Sequence, residues 1–332
     1  MWWRSIHSEA IAIDEKNRLR LNAHTPNGNH ANSSLTGNGR RAMKNVIIVP
    51  YFSEEEVDRY LRIAKRLDEF REQSVAYEFL LAASPRIQPS ERLFEAFSKI
   101  APCKHFQCPT KIFGYPQGPT AMFWDCMDHI HEAYDLEGGF SLWMESDMVP
   151  VKRDWISRLS AEWTAHDRVP LLMGCYVPDV EKHRFFRRKR LWIKEHINGG
   201  ACYSNDFAAS MPLEAREGVF DMVVYQHAES LGRASRTPQI AFATVTTASA
   251  QANRDDRVLL HGFMQDKDDF LDMCLASDPD SSEPATPPSA WMEQFHDTYE
   301  KFMLRFIVRG RPAMLRALLL KQKHLEYLQK AA

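Results

Sequence analysis

Six cysteines are spread through the 332 residues (Cys103, Cys108, Cys126, Cys175, Cys202 and Cys274), with no C-x-x-C pair and no regular spacing. Their pattern excludes a zinc knuckle and a secreted disulfide framework, and leaves reduced, mostly buried thiols of the kind kept in the cytosol. No apolar run is long enough to span a bilayer. Met1 to Leu21, carrying Asp14, Glu15, Lys16 and Arg18, lacks the continuous apolar stretch of a signal peptide. The expectation is a cytoplasmic protein whose membrane contact would be peripheral, at the inner face. Bulk charge is lacking too: 42 basic residues against 44 acidic ones leave a formal net charge of -2. Nothing therefore drives the chain onto nucleic acid, and any electrostatic function must be local. A Walker lysine loop and a G-x-G-x-x-G turn are both missing, which weakens ATPase and dehydrogenase readings. No internal repeat is present.

A hydrophobic content of 44% over this length can bury one substantial core. Residues 1–43 read as a disordered leader, because 22–41 consist mainly of Asn, Gly, Ser, Thr and His. The apolar run Val46-Ile47-Ile48-Val49-Pro50-Tyr51-Phe52 predicts a buried parallel strand, and Ser53 followed by three glutamates caps a helix over 54–72. Strand and helix then alternate: strand 77–83, helix 90–100, strand 106–110, helix 118–134 and strand 139–144, with Asp154-Trp155-Ile156 opening another helix. Such alternation implies right-handed crossovers and a mostly parallel central sheet flanked by helices. Beyond 150 the pattern loosens, with a strand at 171–176 and a Gly-containing apolar segment at 197–203. Residues 277–289 read as a mobile linker, and 290–332 as a helical extension broken around Gly310-Arg311-Pro312.

The chemistry concentrates in Ser141-Leu142-Trp143-Met144-Glu145-Ser146-Asp147-Met148-Val149-Pro150. Here an apolar strand ends in two carboxylates one residue apart. Open α/β sheets bind ligands at strand carboxyl ends, and paired hard oxygens suit Mg²⁺ or Mn²⁺. A strand, then acid-x-Asp, an apolar residue and proline, then a helix, resembles the DxD-type segment of GT-A glycosyltransferases, with Glu in place of the first Asp. The resemblance extends over about 44–269 and implies an α/β, Rossmann-like GT-A fold over 44–276. A nucleotide-sugar half would cover about 44–150 and an acceptor half about 151–276.

It further implies a divalent cation, Mn²⁺ or Mg²⁺, on Asp147, Glu145 and the later His261, with Lys267 facing the diphosphate. Pro50 and Tyr51, after the first strand, would meet the nucleotide, with Tyr51 stacking on its base, and Arg86 would lie nearby. Asn198, Gly199 and Gly200 would contact the donor sugar through a Gly-rich turn. Asp221 would be the general base toward an acceptor hydroxyl. The implied reaction moves a sugar from a nucleotide-diphosphate donor to a glycan, glycolipid or other hydroxyl acceptor, in bacterial polysaccharide or glycoconjugate synthesis.

Two rivals stand beside this reading. A nucleotidyltransferase needs a Gly-rich, Arg/Lys-bearing loop directly after the first strand, where this chain has Pro50-Tyr51-Phe52-Ser53. A non-catalytic scaffold with a GT-A-like core would instead use the basic C-terminal helix, whose Arg305, Arg309, Arg311 and Arg316 suit an anionic membrane surface or packing on the core. The basic run 183–190 suits phosphate-bearing acceptors.

Overall fold

The structure, a computed structural model, describes residues 44–277 except 115, 137, 178–179, 183–190, 194, 217–219 and 263–265. The expected leader, the linker beyond 277, the C-terminal helical extension and the basic run 183–190 lie outside the described residues. Strand β1 (Lys44–Tyr51) is buried because both its faces are apolar. Ile47, Val49 and Tyr51 enter one hydrophobic core, while Val46 and Ile48 enter the other on the opposite side of the sheet. Helix α1 (Glu54–Glu69) starts at Ser53, whose side chain accepts from the Glu56 amide, with Glu54, Glu55 and Glu56 in the first turn. It ends three residues before the expected Glu72. That residue leaves the helix and accepts from the amides of Ile156 and Ser157, at the amino end of a later helix, where a carboxylate is favoured by the helix dipole.

β2 (Ala76–Ala83) and α2 (Glu91–Ser98, capped by Ser90) follow the expected pattern. β3 spans Cys103–Gln107 rather than 106–110. Pro109 has no amide to donate, and the Thr110 amide and hydroxyl are both taken by the Asp125 carboxylate, so the ladder cannot extend. Then come α3 (Gln117–Ala133), β4 (Ser141–Trp143), β5 (Met148–Pro150), α4 (Trp155–Thr164), β6 (Leu172–Val177), β7 (Val180–Lys182), β8 (Leu191–Ile193), β9 (His196–Tyr203) and α5 (Phe207–Ser210). A 3-10 turn (Leu213–Arg216), α6 (Phe220–Ser230), β10 (Ala234–Arg236), β11 (Ile240–Ala243), α7 (Ala248–Ala252), β12 (Leu259–Gly262) and α8 (Lys267–Ala276) complete the described order.

The central sheet has seven strands in the order β10-β6-β9-β4-β1-β2-β3. All pairs are parallel except those of β9, which runs antiparallel to β4 and β6. The protein is thus α/β with a mostly parallel central sheet flanked by helices. A smaller sheet, β11-β12-β5, pairs β12 antiparallel to β5. The carboxyl ends of β1, β2, β4 and β6 share one edge, and β9 begins there. The segment around Asn198-Gly199-Gly200 is therefore a strand and not the expected Gly-rich turn.

At the opposite edge Arg233 holds Asp206 through two hydrogen bonds of 2.7 and 3.0 Å, tying the start of α5 to the approach of β10. Burial alone would raise the Asp206 carboxyl, but Arg233 and the Ser204 hydroxyl outweigh it and bring its pKa down to about 2. A depressed carboxylate contributes stability that is fully present above its unfolded pKa of about 4 and is lost as pH falls through about 2. Asp206 remains half exposed, so the expected contribution is below about 1 kcal/mol. Urea midpoints of Asp206→Asn should accordingly lie slightly below those of the unsubstituted protein at pH 7 and merge with them near pH 2. Parallel curves across that window would remove the assignment.

Candidate active site

Strand β4 delivers its carboxylates through a tight turn. The Met144 amide still bonds the Ile48 carbonyl, and the Tyr60 hydroxyl donates to the Met144 carbonyl at 2.7 Å. The chain then reverses over Glu145–Met148, closed by the Met148 amide on the Glu145 carbonyl at 2.9 Å, and continues as β5. This turn projects Glu145 and Asp147 from the sheet edge. β12 supplies the third group: His261 lies directly opposite Met148, and the Gly262 amide donates to the Asp147 carbonyl at 2.9 Å. Backbone pairing therefore sets the imidazole beside the carboxylates, with its Nε2 3.5 Å from Glu145 Oε2 and 3.5 Å from Asp147 Oδ1.

One ligand atom from each of the three residues lies within 4.8 Å of the others. Ligands on one small cation, held by bonds of about 2.1 Å, stand roughly 3 to 4 Å apart, so modest side-chain rotation closes the set. Asp147 is buried, and its Oδ1 has no hydrogen-bond partner. A buried carboxylate oxygen without a hydrogen bond is costly, and its nearest ionic neighbour is the His261 imidazole, 3.5 Å away. Two carboxylates and one imidazole fit Mn²⁺ well and Mg²⁺ less well. Burial works against charge on both groups, but the attraction between imidazole and carboxylates wins, raising His261 and lowering Asp147 with help from Lys267. The imidazole is stacked on Phe242 at 5.1 Å between ring centres.

On the rim, Lys267, the first residue of α8, places its Nζ 3.3 Å from Asp147 Oδ2 and 3.3 Å from the Ser146 hydroxyl. Ser146 in turn donates to Glu56 Oε1 at 3.2 Å. Burial raises the Glu56 carboxyl above the usual carboxylate range, an effect that Lys267, the Phe52 amide and Ser146 reduce without reversing. Sequence reasoning read Glu56 only as an acid in the first turn of a helix. Its place behind the E-S-D turn depends on packing between segments 90 residues apart and has no local signal.

The other expected residues fall around this centre in several ways. Gly200 packs under His261: a Cβ there would lie 3.0 Å from His261 Nδ1 and 2.5 Å from Met148 Sδ. The Gly199 amide, expected to meet a sugar hydroxyl, is instead taken by Asn198 Oδ1 at 2.6 Å, and its carbonyl accepts from Tyr203 at 2.8 Å. Tyr51 also needs correction. Its ring is wholly buried and its hydroxyl accepts from the Ser90 amide at 2.9 Å, so it cannot stack on a base. The exposed aromatic at this strand end is Phe52. Pro50 lies beside Ala82 at the ends of β1 and β2. Arg86 is exposed, with its guanidinium 4.4 Å from the centre of the exposed Phe113 ring. Asp221, in the first turn of α6, sits 3.9 Å from His196 Nε2, and its Oδ1 is buried without a hydrogen-bond partner.

No protein-family model matches this chain, and no curated protein matches it. Among solved structures it is similar to the galactosyltransferase LgtC in complex with donor and acceptor sugar analogs. That likeness has 11% identity and a TM-score of 0.41, over 75% of this chain and 99% of the other. It is also similar to a glycosyltransferase involved in the glycosylation of the major capsid of PBCV-1, at 10% identity and a TM-score of 0.40, over 70% and 98%. A third is 4-diphosphocytidyl-2C-methyl-D-erythritol synthase, at 10% identity and a TM-score of 0.40, over 59% and 88%. These likenesses are of chain course alone.

Proposed function

We propose that this protein is a metal-dependent glycosyltransferase that moves a sugar from a nucleotide-diphosphate donor to an acceptor hydroxyl. The observation that supports it is the convergence of Glu145, Asp147 and His261. The turn from β4 of the central sheet into β5 of the smaller one, and β12 paired to β5, bring them to one point at the carboxyl edge, with an ammonium beside them. A divalent cation bound by these three residues would neutralise the charge that builds on a departing diphosphate. Lys267, on the rim, would donate to the diphosphate as well. Asn198 lines the donor-sugar side of β9, and its side-chain amide NH₂ is the group that can meet a sugar hydroxyl, since its carbonyl is engaged by Gly199. Pro50 and Arg86 border the nucleotide at the ends of β1 and β2.

In the transfer itself, the acceptor oxygen forms a bond to the anomeric carbon as the bond from that carbon to the diphosphate breaks. Asp221 takes the proton of the acceptor hydroxyl, the role a partly buried carboxylate at this edge can perform. The acceptor is a glycan, a glycolipid or another hydroxyl compound, and the setting bacterial polysaccharide or glycoconjugate synthesis in the cytoplasm. Among the described residues no helix is long and apolar enough to cross a membrane.

The test is a calorimetric titration of Mn²⁺ with UDP and with GDP, followed by a screen of nucleotide-sugars for release of the nucleoside diphosphate. Each partner should tighten the other, and release should stop on chelation. A scaffold predicts no coupling between ion and nucleotide. Release that persists at full rate with excess chelator would end the metal-dependent reading.

A further inference from the structure

We propose that Glu56 is the outer carboxylate of the Glu145–Asp147–His261 site, the counter-charge that cancels Lys267 and so leaves the inner pair fully acidic toward a divalent cation. This deepens the function proposed above and rests on it. Three acids open α1, yet only one is drawn inward: Glu54 and Glu55 are exposed, whereas Glu56 is 6% exposed. Closing the helix end does not require that burial. One oxygen, Oε2, already accepts from the Phe52 amide at 3.0 Å, and Oε1 is free to reach Ser146. A carboxylate taken out of water is expensive unless a positive charge answers it.

The answering charge is Lys267, one hydroxyl away, since its Nζ donates to the same Ser146 oxygen that donates to Glu56. The acids on either side of Lys267 in the chain are engaged elsewhere. Asp266 accepts from the amides of Asp268 and Asp269, and Asp268 is clamped by Arg59 and Arg62. Without Glu56 the ammonium 3.3 Å from Asp147 would offset one of the two inner carboxylates. With it, the group of three carboxylates and one ammonium keeps two net negative charges, matching a divalent cation. The middle residue of the E-S-D turn thereby has a role as well, since its hydroxyl joins the inner site to the outer acid.

The measurement is Mn²⁺ affinity of the full chain in the absence of nucleotide, read from the paramagnetic signal of free Mn²⁺. Glu56→Gln should weaken binding about tenfold, in the range usual for loss of an outer partner. Lys267→Met should tighten it, and the double variant should return close to the starting value. Two controls separate charge from stability. Ser53→Ala removes the cap of the same helix, and Asp58→Asn removes an exposed acid from the same helix that pairs with Arg92; both should leave Mn²⁺ affinity unchanged. Glu56→Asp, shorter by one methylene but still charged, should fall between wild type and Glu56→Gln. Unchanged affinity in Glu56→Gln, or an equal loss in either control, overturns the inference while leaving the cation site intact. Should Glu56→Gln fail to fold, Lys267→Met decides, because affinity unaltered by removing the ammonium also overturns it. Absence of Mn²⁺ binding by the unsubstituted protein overturns both this inference and the function it rests on.

Discussion

Asp147→Asn is expected to lower Mn²⁺ affinity by more than about a hundredfold, beyond what loss of an outer partner costs, and to take nucleotide-sugar turnover below detection. The substitution replaces a charged bidentate acceptor with a neutral amide that offers one oxygen. It also removes one of the two carboxylates beside His261 Nε2 and the carboxylate beside Lys267 Nζ. The backbone at this position does not depend on the side chain, because the Asp147 carbonyl is bonded by the Gly262 amide and β5 begins at the next residue. The variant should therefore fold, with far-ultraviolet circular dichroism unchanged, while ion and nucleotide no longer bind cooperatively in the calorimeter. Turnover surviving in Asp147→Asn, with the ion still required, would remove Asp147 from the centre of the site and with it the function proposed here.

A methyl group added on the neighbouring strand β9 should be nearly as damaging. In Gly200→Ala the new Cβ would meet Met148 Sδ at 2.5 Å and His261 at 3.0 Å (Nδ1) and 3.1 Å (Cε1). The thioether can swing aside, although Met148 is fully buried and must displace its neighbours to do so. The imidazole cannot give way easily: it is 3% exposed, stacked on Phe242 and fixed through β12. Overpacking of this kind costs roughly 1–3 kcal/mol, which urea denaturation would register. A ring pushed off its axis also moves Nε2 away from the carboxylates, so Mn²⁺ affinity should fall about tenfold or more. Stability lost without any change in Mn²⁺ affinity would show that His261 does not take part in holding the ion.

Much of the framework was readable along the chain because it is written in local periodicity. The run 46–49, the Ser53 cap, the helix over 90–100 and the helix opening at Asp154 each depend on residues within a turn or two of one another. The E-S-D turn was legible for the same reason, since a strand ending in acids and a proline is a contiguous pattern. Tyr51 shows where this stops. β1 is a central strand covered on both faces, so alternation does not reveal which of the adjacent aromatics Tyr51 and Phe52 stays in the core. The order of strands in space, not their composition, buries the first and exposes the second.

β9 makes the same point at the site itself. Its glycines suggest a turn when read in isolation, yet insertion between β4 and β6 makes them a strand whose missing side chain at Gly200 leaves room for an imidazole. Glu56 carries no signal of its role until α1 packs behind the E-S-D turn.

Local chemistry along the chain was thus enough to establish alternating strands and helices, a parallel sheet and an acidic strand end suited to a hard cation. Long-range pairing settled the rest: which imidazole and which ammonium meet those acids, which carboxylate stands behind them, and which glycine makes space. Such convergence joins residues more than a hundred positions apart, and the energies that bring them together come from burial and strand pairing across the whole sheet, which no short window of sequence contains.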